Sequence, residues 1–361
     1  VVGKTYTTLC NSGSSASLLA MSALTEKYSG KYVVTTALGF PTTVTPIYQC
    51  NKIPIYIDID PLTFSPDLKQ FRLSMFKYRD DLCGVVFAHT LGFPFEELMY
   101  YDTIGKSQFF MVDNADALGA GINTTGYDLL QAPDVVTLSF FPAHQITTAE
   151  GGAILTDDKE LHKIIDSYAS WGKDCYCLPG QDGVCGKRFE QSFDKMPEGY
   201  DHKYTFTRLG YNMKMTEFQA ALGLSQLSRL DDFVTHRVAV CKTYELMFRE
   251  IGVDKYFDFV NVPTWSFPSP FGFPLIRKDD APFTTQEVIN YLEDNKIGTR
   301  RMFGGNLIRQ PAFEGLPYIK LDLSGSDKLM NDCLWLGCWP GITDQMMEYV
   351  VCKLEDFIKE K

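Results

Sequence analysis

Four short stretches carry side chains able to do chemistry on a phosphorylated aromatic ring. "CNSGSSASLLAMSAL" (10–24) sets Gly13, Ser14 and Ser15 where a turn enters a helix. The unpaired N–H groups and positive end of a helix start favour a phosphate there, although a plain N-cap turn uses the same residues. "FFMVD" ends at Asp113, a carboxylate at the carboxyl edge of a sheet, where open α/β folds bind ligands. A helix cap is the other reading of that aspartate. Phe40, in "ALGFPTT", follows a strand and can stack on a flat ring or fill core. "SFFPAHQITTAEGG" (139–152) runs from Ser139 at a strand end to a lone histidine, His144, ahead of a glycine pair. A phosphate cradle, an acid for a ring nitrogen, an aromatic lid and a short loop together suggest pyridoxal phosphate.

A second cluster is sulfur. Cys175, Cys177 and Cys185 fall within "CYCLPGQDGVC", spaced C-x-C-x7-C. The chain holds ten cysteines. No apolar run reaches the ~18 residues needed to cross a bilayer, and the start "VVGKTYTTLC" lacks the layout of a signal peptide. A cytoplasmic protein is expected, and in that reducing compartment the cysteines are thiols, not a disulfide framework.

The elements that must position these residues are strands alternating with helices. Strands are expected at 31–37, 53–60, 82–89, 108–113, 135–141 and 151–157, where β-branched and aromatic runs are bounded by turn residues. Helical patterns at 16–28 and 95–106 lie between them, so the sheet is expected to be mainly parallel and the class α/β. Residues 172–208 lose periodicity and read as one long functional loop. Helical spacing then runs from about 216 to 248, with a break near Leu230–Asp232. A cofactor-binding domain is expected over 1–239 and a smaller α+β domain over 240–361, with "FGFPLIR" as a strand. The chain opens close to a Gly-rich turn, so an upstream segment is expected to be missing. Lys plus Arg total 34 against 45 Asp plus Glu, a net charge of -11 that repels nucleic acid and anionic membrane.

Over nearly its whole length the sequence resembles the DegT/DnrJ/EryC1/StrS family of sugar-modifying enzymes. The matching stretches are "NSGSSA", "GFPTT", "IYIDID", "AHTLGFP", "VDNADALG", "SFFPAH…EGGAILTD", "LGYNMKMTEFQAALG" and "IGTRRMFGGNLIRQPAF". The resemblance implies the type I fold of aspartate aminotransferase. It implies that Gly13, Ser14, Ser15 and Ser139 hold the cofactor phosphate, Phe40 stacks on the ring and Asp113 meets the pyridine nitrogen, with Asp116 in the same cofactor-binding set. Asn212, in "GYN", resembles the residue that reaches the phosphate from the neighbouring subunit, which implies a homodimer with shared sites.

At the position of His144 the family's aminotransferases carry a lysine, whose amine can bond the cofactor covalently. An imidazole cannot, so the cofactor is expected as pyridoxamine phosphate or free pyridoxal phosphate, with His144 as acid or base. This implies removal of the C3 hydroxyl of a 4-keto-6-deoxyhexose carried on a nucleotide. The cysteine spacing resembles the subgroup that acts on CDP-4-keto-6-deoxyglucose with a [2Fe-2S] cluster, in making dideoxysugars of lipopolysaccharide O-antigen. That subgroup works with an NAD(P)H-dependent iron–sulfur flavoprotein reductase. Its usual fourth cysteine is here Ala115. Lys203, Arg208, Asn306 and Arg309 are candidates for the nucleotide diphosphate. Two alternatives stand beside this reading: a redox-free GDP-4-keto-6-deoxymannose 3-dehydratase, and a relative that binds nucleotide sugar without chemistry.

Overall fold

In the computed structural model, which describes residues 2–122, 130–177, 181 and 183–361, strand ends and helix starts meet along one edge. β1 (Tyr6–Cys10) leads into α1 (Gly13–Lys27), β2 (Tyr32–Thr36) into α2 (Pro41–Gln49), β3 (Ile53–Ile57) into α3 (Leu68–Lys77) and β4 (Leu82–Ala88) into the one-turn α4 (Leu98–Tyr101). Then come β5 (Phe109–Asp113), β6 (Gly121–Ile122), β7 (Val135–Ser139), β8 (Gly152–Thr156) and α5 (Lys159–Ala169). Beyond the cysteine loop lie α6 (Glu217–Leu227), α7 (Leu230–Glu250), β9 (Phe257–Asp258), β10 (Ser266–Phe267), β11 (Gly272–Arg277) and α8 (Thr285–Asp294). β12 (Thr299–Arg301), β13 (Ile319–Lys320), α9 (Ser324–Asp332), β14 (Cys333–Gly337) and α10 (Asp344–Lys359) complete the chain.

The main sheet has the order β1-β8-β7-β5-β4-β2-β3-β13, and only β8 runs against its neighbours. This is the expected, mainly parallel sheet. Its central strands are buried on both faces, which is why they read as unbroken apolar runs. Alternate residues of β5 serve different cores: Phe110 and Val112 pack on one side, Phe109 and Met111 on the other. The smaller α+β unit is an antiparallel sheet, β12-β14-β11-β9, packed against α7, α8 and α10. Two strands tie it to the first: β10 pairs with β6, and β13 extends the main sheet beside β3. Helix α7 runs through the boundary expected at 239–240. No helix among the described residues is long and apolar enough to cross a membrane.

Two local readings change. The helix expected over 95–106 shrinks to α4, because Phe95, Glu97 and Tyr100 turn inward: Glu97 Oε1 lies 2.9 Å from buried His89 Nε2. "GFPTT" starts a helix where a turn was expected, with Pro41 at the position whose missing N–H costs nothing.

The edge is held in register by glycine. Cys10 and Ser139 both face Gly152 across β8, and a Cβ on Gly152 would lie 2.4 Å from the Ser12 carbonyl oxygen. Likewise a Cβ on Gly13 would lie 2.5 Å from Ser139 Cβ. The start of α1 therefore sits on the end of β7 only because both positions lack a side chain. Gly152→Ala is expected to lower unfolding stability by about 1–3 kcal/mol through overpacking. Gly298→Ala, which meets open space, should stay within about 0.5 kcal/mol. Urea unfolding of both variants checks this, and equal midpoints would refute the packing argument.

Candidate active site

The four residues expected to form a phosphate cradle lie together at the carboxyl edge. Ser12 caps α1, its hydroxyl accepting from Ser15 N at 3.1 Å. Ser14 donates to Thr42 Oγ1 at 3.2 Å, which links α1 to the first turn of α2. Ser139 is buried at the end of β7 against Gly13. Gly13, Ser14, Ser15 and Ser139 thus converge on a helix start whose first turn holds no acidic residue. Such a site favours an anion.

Asp113 stands on the same edge. Thr43 donates to its Oδ2 at 2.7 Å and Ala115 N donates to its Oδ1 at 3.1 Å. Burial pushes its pKa up, against those two hydrogen bonds and the nearby His89. A protonated ring nitrogen is the partner such a buried carboxyl lacks. Asp116, three residues on, accepts from Leu91 N at 3.2 Å, and burial with the neighbouring Asp113 pushes its pKa up to about 7.

His144 Nδ1 lies 3.7 Å from Asp116 Oδ1, too far for a hydrogen bond, and it is a buried atom without a partner. Burial first, and then the charge of Arg237, hold the imidazole down at about 4. At neutral pH it is an uncharged base. Aromatic rings close the other side: Phe271 lies 5.0 Å from the imidazole, Phe303 6.2 Å from Phe271, and Phe40 6.3 Å from Phe303. Phe40 is 53% exposed, so its face is open for stacking. A cradle, an acid without its cation, an open aromatic and an orphaned imidazole fit pyridoxal phosphate or pyridoxamine phosphate, and residue 144 offers no amine for a covalent bond.

The remaining candidates divide into two places. Arg208 is ion-paired to Glu26 on α1 at 2.7 Å, and Lys203 lies on the cysteine loop near Cys177. Asn306 and Arg309 both bond Asp327 and line a cavity of about 430 Å³ with Tyr318 and Lys320. Asn306 is buried, pairs across to Leu38 beside Phe40, and leaves its Oδ1 without a partner. Asn212 bridges to Ser170 and accepts from Lys214, and the next residue, Met213, accepts from Asn11 N at 2.8 Å.

The three thiols gather on one loop, of which residues 178–180 and 182 lie outside the described residues. Burial, the main influence, and the neighbouring thiols push the Cys175 pKa up. At Cys177 burial is outweighed by hydrogen bonds from Val184 N, Cys175 and Cys185 N and by the charge of Lys203, so its pKa falls. Cys185 Sγ lies 3.8 Å from His202 Nδ1. Still, among the described residues no three His, Cys, Asp or Glu side chains stand where they could hold a metal ion. Ala115 brings no sulfur, only its N–H, which is bonded to Asp113. These residues as placed do not fit a [2Fe-2S] cluster.

Thr43, Phe271 and Arg237 were not singled out from sequence. Thr43 lay inside "GFPTT" itself. Arg237 falls on the apolar face of α7, and that misplacement was its one signal.

Residues 1–355 match the DegT/DnrJ/EryC1/StrS aminotransferase family. The lipopolysaccharide biosynthesis protein RfbH of Salmonella typhimurium is 40% identical over 99% of this chain and 82% of its own. The dTDP-4-dehydro-2,6-dideoxy-D-glucose 3-dehydratase of Saccharopolyspora spinosa is 41% identical over 97% of this chain and 76% of its own. A solved structure of GDP-4-keto-6-deoxy-D-mannose-3-dehydratase from E. coli, with bound hydrated PLP, superposes with a TM-score of 0.84 at 24% identity, covering 98% of this chain and 88% of that one. The fold is therefore the expected α/β type I fold, and the chain belongs to the DegT/DnrJ/EryC1/StrS aminotransferase family.

Proposed function

We propose that this chain is a nucleotide-sugar 3-dehydratase that removes the C3 hydroxyl of CDP-4-keto-6-deoxyglucose with pyridoxamine phosphate, in cytoplasmic dideoxysugar and O-antigen synthesis. The observation that carries the reading is His144: a largely buried imidazole held toward its uncharged form, with an orphaned Nδ1, where the family's aminotransferases have lysine. Bound pyridoxamine phosphate supplies an amine for the substrate ketone and a ring that accepts electrons. Gly13, Ser14, Ser15 and Ser139 hold the phosphate, Asp113 holds the ring nitrogen charged, and Phe40 covers the ring face. His144 takes up a proton from carbon and returns one to the departing C3 oxygen, so that the C3–O bond breaks with loss of water. Asn306, Arg309 and Lys203 are the substrate contacts to test. The 41% identity to an enzyme named for a dTDP-sugar makes dTDP the competing nucleotide. Comparing kcat/KM for the CDP- and dTDP-linked 4-keto-6-deoxy sugars decides between them.

Apolar surface supports the homodimer. No residue of α6 is buried, and Leu209, Phe218 and Leu224 are 97%, 90% and 73% exposed beside Asn212. A second copy would cover them and receive Asn212. Leu224→Glu is expected to shift the protein toward monomer in light scattering and to weaken cofactor retention; a variant still dimeric would remove α6 from the interface.

His144→Lys is expected to gain a covalent link to pyridoxal phosphate, which borohydride fixes and mass spectrometry reads on residue 144. Dehydration should fall by about 100-fold or more, the usual contribution of an acid–base group. Labelling of a lysine in the unaltered protein would overturn the reading of His144.

Two versions of the chemistry differ in their reducing equivalents. In one, a partner reductase supplies the electrons, which calls for a [2Fe-2S] cluster that Cys175, Cys177 and Cys185 as placed do not hold; in the other, an amino donor recharges the cofactor. Ala115→Cys should raise iron and sulfide bound after anaerobic reconstitution, and Cys177→Ser should lower both. Iron uptake by neither the parent nor Ala115→Cys would favour the redox-free route.

A further inference from the structure

Along α7 the residues Leu230, Val234, Val240, Tyr244 and Phe248 form the buried face, and Arg237 lies in the middle of it, 3% exposed. Among the described residues no ion pair reaches its guanidinium. Nη2 donates to the carbonyls of Ala143 and His144 at 3.1 and 3.2 Å. Nη1 donates to those of Pro270 and Phe271 at 3.3 and 3.4 Å and lies 3.8 Å from Cys338 Sγ. Nε has no partner. Burying a cation without a counter-charge is costly unless its position does something else.

One planar fork thus ties together two segments from different sheets. Residues 143–144 follow β7 of the main sheet, and residues 270–271 enter β11 of the small one. Only guanidinium presents donors in this rigid, divergent arrangement. The second segment also supplies the Phe271 ring that packs on the imidazole.

We propose that Arg237 is the positioning residue for His144, fixing the imidazole beneath the cofactor site by its hydrogen bonds to both flanking backbone segments. This rests on the reading of His144 as the base. The groups facing that imidazole are Asp116 from the loop after β5, Asp113 behind it at the end of β5, and Arg237 from α7, with Cys338 after β14 against Arg237. Asp116, at about 7, changes its charge near neutrality, whereas Arg237 stays charged throughout.

The test uses the full chain with cofactor for kinetics, and ¹⁵N-histidine NMR to titrate His144. Arg237→Met should move the His144 midpoint upward, because a cation has gone, and should cut kcat about 100-fold with KM within about twofold, as misplacement of a reacting group does. Arg237→Lys keeps the charge, so the midpoint should stay low, yet one ammonium cannot span both carbonyl pairs and kcat should still fall. A wild-type kcat in Arg237→Lys, or an unmoved midpoint in a folded Arg237→Met, overturns the proposal. If Arg237→Met does not fold, the lysine variant decides alone. Dehydration surviving in His144→Asn would overturn the base reading, whereas the midpoint shift in Arg237→Met would remain.

Discussion

Asp113 and Asp116 lie three residues apart and both are largely shielded from water, and shielding two carboxyls together costs more than shielding one. Each meets a low dielectric, and the second charge also meets the first. Here the cost is divided unequally. Asp113 receives hydrogen bonds from Thr43 and Ala115 N, which stabilise its ionised form, whereas Asp116 has the Leu91 N–H alone and is pushed up to about 7. Asp113 is the better supported of the two as an anion, although burial raises it as well; Asp116 can hold a proton at neutral pH. Everything else at the edge is arranged around that difference.

Desolvation acts on His144 with the opposite sign, and the two effects meet in the pH dependence of folding. An imidazole held at about 4 against an ordinary 6.5 binds its proton less readily when folded, so its contribution is present above pH 6.5 and is lost as pH falls through 4. Asp116, raised from 3.8 to about 7, binds its proton more readily when folded, so its contribution is present below pH 3.8 and is lost as pH rises through 7. Between about pH 4 and 6.5 the two slopes oppose each other. The site can therefore keep an uncharged base beside a protonated acid with little net proton exchange on folding, a condition that a single shifted group would not meet.

Much of this was legible in the sequence because strand ends announce themselves. Asp113 and Ser139 are read from an apolar run that stops, Gly13 from the helix start it opens, and parallel topology brings strand ends and helix starts to one edge. Phe40 was legible as a ring near the site, although the helix it starts was hidden by its two prolines, Pro41 and Pro46, which helices seldom hold together. The helix expected at 95–106 failed because Glu97 serves His89, and a pairing eight residues apart leaves no periodic trace. Arg237 was hidden for a different reason: its partners are carbonyls, which every residue has, so nothing in the side chains of 143–144 or 270–271 points back to it. The thiols were legible by spacing, but spacing along a loop fixes neither the direction in which sulfurs point nor a fourth donor.

Charge placement limits how a nucleotide can enter. Arg208 is committed to Glu26, and Arg309 to Asp327, which also holds Asn306. A diphosphate arriving at either arginine competes with a carboxylate already in place, so its binding energy is reduced by the pair it displaces. At the cavity near Asn306 the exchange is coupled to the active site: Asn306 pairs across to Leu38, two residues before Phe40, and Phe303, in the segment leading to it, touches Phe40. Displacement of Asp327 would release Asn306 as well as Arg309. A nucleotide bound there would lie against the segment that packs on Phe40, at one end of the chain of rings Phe40, Phe303 and Phe271 that reaches His144.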